Sequence, residues 1–201
     1  ALAQRALRLV LAWQVIASIG FMVAGIGVGT AGALTGSIFY MLQDMLVKVA
    51  LFTTAWLVAR RSGTESLVGA GGLWMRAPWL GALFLMPALA LSGIPPFSGF
   101  WAKVLLIDAT LKAKFWWLSG VALVVGLLTL YSMAKVFSAT FWQPRAEDAP
   151  AIPEDPGPRP IAATVSVLGL VALITGVGMF PAAFIDFTML AGHQLAAPDA
   201  Y

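Results

Sequence analysis

Ser92-Gly93-Ile94-Pro95-Pro96-Phe97-Ser98-Gly99 interrupts an apolar stretch running from Ala77 to Ile107, and its reading decides the fold. Both prolines lack a backbone N–H and both clash with the preceding turn, so a helix that enters this run cannot leave it intact. The stretch holds 31 residues. As one straight helix it would reach about 46 Å, across a hydrocarbon core only about 30 Å thick. Two half-helices are therefore expected. The carbonyls freed between them need partners, which in lipid means protein or a water-filled cavity. The competing reading of this feature alone is a proline kink that bends a packing helix.

Outward from the break, the composition is that of a lipid-embedded chain. Of 201 residues, 60% are hydrophobic and 10% charged, whereas ordinary soluble domains carry about 25% charged residues. A spanning helix needs about 20 predominantly apolar residues. Spans are expected at 7–28, 31–59, 77–111 (broken at 92–99), 115–141 and 161–181, with an exposed loop rich in proline and charge at 142–160 and an amphipathic tail. The fold class is all-α, a polytopic transmembrane bundle of about five spans, one of them discontinuous. Gly25, Gly27, Gly29, Gly32 and Gly36 follow no strand, so they read as close helix packing and not as a dinucleotide loop. Arg60, Arg61 and Arg76 outweigh Glu65 in the loop after the second span. That asymmetry places the loop, the chain start and the proline-rich loop on the cytoplasmic side of a cell membrane. The chain opens Ala1-Leu2-Ala3-Gln4-Arg5 without methionine or a signal peptide and is expected to be a piece of a longer protein.

Several function classes fall away. The net charge of +3 comes from few ionisable groups, which fits an orientation signal and not a nucleic-acid surface. Without cysteine there are no disulfides, iron–sulfur clusters or thiolate zinc sites, and the single His193 cannot assemble a metal centre. No cofactor, metal or catalytic residue is expected, for the chain holds no Ser-His-Asp set, P-loop or paired catalytic carboxylates. Movement of ions is the chemistry its residues suit.

Lys103 lies one to two turns beyond the break with no acidic residue three or four positions away. A membrane-embedded charge without a local partner is a functional residue by default; the alternative is a lysine that snorkels to the interface. Tyr40, Asp44 and Lys48 fall at i, i+4 and i+8 on one stripe of the second span. They form either a proton route or a mutually neutralised structural pair. Lys135, four residues after Tyr131, is either a relay group or a lysine near enough to its span end to snorkel. Asp108 with Lys112, and Asp186 and His193 in the tail, read as surface groups.

The run from Ser92 through Phe100-Trp101-Ala102-Lys103 resembles the broken-helix signature of the antiporter-like subunits shared by Mrp-type cation/proton antiporters and respiratory complex I. Gly63-Thr64-Glu65-Ser66-Leu67, Gly71-Gly72-Leu73, Phe39-Tyr40, the run Val47 to Phe52 and the run Thr129 to Val136 are more similar to the D-type subunit of the Mrp Na⁺/H⁺ antiporter than to the complex I subunits. The resemblance covers the chain up to about Trp142. It implies that these are the tenth to fourteenth helices of a 14-helix protein, working with other subunits, the lipid bilayer, protons and sodium or another monovalent cation. It further implies that Lys103 passes protons toward the far-side exit and that Lys48 belongs to a polar axis along mid-membrane. Gln43, Asp44 and Gln14 stand where the family commonly has histidines, so Tyr40, Gln43 and Gln14 enter as a polar relay in altered form. The family's glutamate and its other key lysines are expected upstream of Ala1. The alternative within the same resemblance is a proton-translocating membrane subunit of an NADH-quinone oxidoreductase.

Overall fold

The computed structural model describes residues 3–147, 149 and 160–196. Most of the proline-rich loop expected at 142–160, and the last residues of the tail, lie outside them. The described residues form helices α1 (Leu7–Val28), α2 (Ala31–Ser62), α3 (Leu73–Arg76), α4 (Pro78–Ser92), α5 (Ser98–Lys112), α6 (Trp116–Phe137), α7 (Ile161–Met179) and α8 (Ala182–Ala196), with a π-helical turn at Ser138–Trp142 continuing α6. No strand occurs among them.

Helix α2 stands at the centre. It touches α1, α4, α5, α7 and α8, and its 32 residues span about 48 Å. Thr30 caps its start by accepting from Ala33 N–H, and Gly63 ends it in the left-handed conformation. Four helices, α1, α2, α6 with its π turn, and α7, are long and apolar enough to cross a membrane. Their outer faces carry exposed Ile16, Ile26, Leu127 and Leu168. Such a surface requires lipid or neighbouring protein around it.

The fifth span is the interrupted one. Helix α4 begins with Pro78 at its first turn and closes at Gly93, whose φ of 83° suits glycine. Phe97 is extended, and α5 starts at Ser98. A Cβ on Gly99 would lie 1.8 Å from the carbonyl oxygen of Ala90, so only glycine lets the second half-helix start this close to the first. Pro95 and Pro96 are exposed on the surface of this chain, whereas Phe97, Ser98 and Gly99 are buried.

The last expected span and tail form a second interruption. Helix α7 stops at Met179, and after Pro181 the chain resumes as α8, which packs along the first half of α2. Thr188 is fully buried there, and a Cβ on Gly192 would sit 2.3 Å from Thr35 Oγ1. The segment read as a tail is thus partly core. Asp186 and His193 keep to its exposed side. The end of α7 lies against the first break: Trp101 Nε1 donates to Gly178 O at 2.8 Å, and a Cβ on Gly178 would meet Pro96 O at 2.0 Å.

Three segments gather at one end of the bundle. The chain start pairs with the loop after α2 through Leu7 N–H to Glu65 O, Leu67 N–H to Arg5 O, and the Arg8–Glu65 ion pair at 2.8 Å. Beyond the π turn, Arg145 donates to Ser62 O at 3.2 Å.

Candidate functional site

A polar layer crosses the bundle through α6, α1, α2 and α5, and its geometry starts from the two breaking prolines. In an unbroken helix the N–H of residue 96 would donate to Ser92 O; proline has none, so that carbonyl is orphaned. Lys103 supplies the donor. Its Nζ reaches back from the second turn of α5 to Ser92 O at 2.7 Å. The ammonium thereby occupies the carbonyl end of α4, where a helix dipole favours a cation. Its stem passes over Gly93, and a Cβ on that glycine would meet Lys103 Cδ at 2.7 Å. The Nζ also lies 5.7 Å from the Phe21 ring centroid, within reach of a cation–π contact.

Phe21 connects the lysine to α2, for its ring stacks on Tyr40 with centroids 5.1 Å apart. Tyr40 and Asp44 are both buried. Asp44 has each carboxylate oxygen engaged: Ser18 Oγ donates to Oδ1 at 2.9 Å, and Lys48 Nζ is paired with Oδ2. Side chains at i and i+4 meet on one helix face, which makes the Asp44–Lys48 contact local; the Ser18 contact requires α1 to lie against α2. A small-residue seam permits that approach, since a Cβ on Gly25 would overlap Ser37 Oγ at 1.9 Å.

The layer continues to α6. Gln14, one turn before Ser18, is buried, and Thr129 Oγ1 lies 3.5 Å from its Oε1. Gly126, one turn before Thr129, lies beside Lys103, whose Nζ would be in ordinary contact at 3.6 Å with a Cβ there. At the break, Gln43 Oε1 and Ser98 Oγ are buried without a protein partner among the described residues. Buried polar atoms are normally satisfied by protein or water.

The residues singled out by sequence therefore divide. Lys103, Asp44, Lys48, Tyr40, Gln14 and Gln43 come together around α2, next to the break formed by Ser92, Gly93, Pro95, Pro96, Ser98 and Gly99. Lys135 stands apart, with Tyr131 on an exposed face of α6. Asp108 and Lys112 form an exposed pair at 2.6 Å. Sequence reading missed Ser18, Thr129 and Phe21. Ser18 carried a weak signal, as a hydroxyl one turn from Gln14 in an otherwise apolar helix. Among the described residues no three acidic or histidine side chains are grouped to hold a metal ion.

The family described as NADH:quinone oxidoreductase/Mrp antiporter, transmembrane, matches residues 1–129. The D-type subunit of the Na⁺/H⁺ antiporter from Alkalihalophilus pseudofirmus is 43% identical over 133 residues, 66% of this chain and 27% of that protein. The protein of the same name from Bacillus subtilis is 37% identical over 130 residues, 65% of this chain and 26% of its own length. The matched stretch thus spans about a quarter of those curated relatives. Among solved structures, a chain of the Mrp complex from Dietzia sp. superposes with a TM-score of 0.85 at 28% identity, covering 98% of this chain and 44% of that one. A chain of respiratory complex I from Thermus thermophilus has the same fold, with a TM-score of 0.83 at 24% identity, covering 97% of this chain and 40% of its own.

Proposed function

The chain belongs to the NADH:quinone oxidoreductase/Mrp antiporter membrane family, and from that premise we propose that it is part of the D-type subunit of a multi-subunit Na⁺/H⁺ antiporter in the cell membrane. In this role it carries a segment of a proton path and performs transport, not catalysis. Its partners are the other subunits of a hetero-oligomeric complex, and its cargo is H⁺ exchanged against Na⁺ or another monovalent cation.

The observation that carries this reading is the hydrogen bond from Lys103 to the carbonyl orphaned by the helix break. It holds a titratable cation inside the bundle, within the field of the Asp44–Lys48 pair. A proton arriving at Asp44 neutralises the carboxylate that Ser18 and Lys48 hold; a proton leaving the Lys103 ammonium removes a positive charge on the other side of Phe21 and Tyr40. Each transfer changes the field at the other group: a proton on Asp44 weakens the hold on the Lys103 proton, so loading of one site favours unloading of the other. Gln43 Oε1 and Ser98 Oγ are where water would complete the route. The membrane potential supplies about 2.3 kcal/mol per charge per 100 mV, enough to bias such transfers. The broken helix turns its Phe97-Ser98-Gly99 side into the bundle, and discontinuous helices of this kind are used by secondary transporters.

The family description also names NADH:quinone oxidoreductase, but the relatives of 43% and 37% identity are both antiporter subunits. Purifying the whole assembly that contains this chain separates the two. We expect small membrane subunits without flavin or iron–sulfur centres, and in everted vesicles a respiration-generated ΔpH that collapses when Na⁺ is added. Co-purifying flavin with NADH-quinone activity, and no response to Na⁺, would contradict the proposal.

A further inference from the structure

One turn along the α1–α2 pair from the Ser18–Asp44 contact, polar packing gives way to an apolar layer. Ser18 faces Asp44. Three residues further along α1, Phe21 stacks on Tyr40, which lies four residues back along α2; the ring centroids are 5.1 Å apart and the planes 15° from parallel. Both residues are buried. With Phe39, Ala102 and Leu106 they form one apolar cluster. Lys103 stands at the rim of that cluster: its neighbour Ala102 is fully buried, and its Nζ lies 5.7 Å from the Phe21 centroid while donating to Ser92 O. The Asp44 carboxylate and the Lys103 ammonium are thus reached from opposite sides of the stack.

Protons move between side chains that are within hydrogen-bond reach or joined by a water. A hydrocarbon ring offers neither donor nor acceptor, and a dry constriction keeps out the water that would. We propose, on the proton-path reading above, that the Phe21–Tyr40 stack is the barrier of that path, and that the Phe21 ring turns aside for a proton to cross between Asp44 and Lys103. Without it, a file of water would join the two groups, and the membrane potential would drive protons through with no sodium moved. The ammonium steadies the closed ring by its cation–π attraction. On the α6 side, Thr129 places its proton on Val125 O at 2.9 Å, so this hydroxyl is not a donor toward Lys103. Truncating Phe21 would not leave a dry hole. Purely apolar cavities stay empty, but a roomy space with polar partners takes water; the Lys103 ammonium borders this one, and the Ser18 hydroxyl lies one turn away along α1.

The test uses the whole assembly containing this chain in everted vesicles. A respiration-generated ΔpH is followed after respiration is stopped and before Na⁺ is added, with assembly checked in the same membranes. F21A should let ΔpH decay at least about tenfold faster than in the unmodified assembly, the factor given by about 1.4 kcal/mol off a transfer barrier. F21L, which restores apolar bulk without the ring, should bring the decay back to the unmodified rate. F21A/D44N should lose the leak, because the carboxylate that feeds it is gone. F21V, a smaller truncation, carries the same test if F21A fails to assemble. Unmodified decay in the assembled truncation would overturn the proposal. So would a leak in F21L as fast as in F21A, or one in F21A/D44N as fast as in F21A, which would be damage outside the path. Na⁺ is then added to the unmodified assembly: no response there, beside an Asp44-dependent leak in F21A, would contradict sodium exchange and leave the barrier standing.

Discussion

At the scale of single residues, the decisive feature is how buried charges are held. Asp44 is buried and its carboxylate is shared between Ser18 and Lys48. Removing one member of a buried ion pair strands the other charge and costs about 3 to 5 kcal/mol, whereas replacing both by neutral groups is often tolerated. Asp44→Asn and Lys48→Met are each expected to lower the thermal midpoint of the purified assembly. The double variant should regain most of that stability while remaining defective in exchange; three equally stable proteins would show that the pair is not buried in the working complex. The charges themselves were legible in the sequence, because a lysine or aspartate inside an apolar span is conspicuous. Ser18 was not, since a helical serine ordinarily bonds its own preceding turn, and Ser18 Oγ does lie 3.0 Å from Gln14 O, which shares its single O–H proton with Asp44. Its second partner, Asp44, is 26 residues away and is set by the packing of α1 on α2. The spacing of Tyr131 and Lys135 likewise could not say which face of α6 meets the bundle, and both proved exposed.

At the scale of elements, two interruptions lean on each other. The first was readable from Pro95 and Pro96 together with the excess length of the stretch around them. The second was only half readable: Pro181 ended a span, but α8 was too short to register as one. The small pair Thr188 and Gly192 that docks α8 on α2 has meaning only beside Thr35. Gly178 joins the interruptions, with Pro96 O where its side chain would be. Gly178→Ala is expected to destabilise the folded assembly by about 1 to 3 kcal/mol, the usual cost of overpacking, and to lower its yield and melting midpoint. Gly176→Ala is the matched control, since a Cβ there meets nothing within 4 Å. Equal melting of the two variants would mean that α7 does not brace the break.

At the scale of the whole molecule, the ends of the bundle and the direction of transport come into play. The chain start, the loop carrying Glu65 and the segment around Arg145 are tied together at one end, and the turn between α5 and α6 lies one span away. The sequence contains no cysteine, so a thiol introduced into it is read as labelling over that of the unmodified assembly. Glu65→Cys and Glu147→Cys should react with an impermeant maleimide from one face of the membrane and Lys112→Cys from the other; labelling of all three from the same face would refute the order of spans. Whether this bundle moves protons is likewise a property of the complete assembly in a sealed membrane. The most direct measurement is Na⁺-driven collapse of ΔpH in everted vesicles carrying Lys103→Ala, with assembly of the complex checked in the same membranes. Loss of exchange by at least about tenfold with assembly intact is the expected result, and exchange at the unmodified rate would show that Lys103 is no part of the proton path.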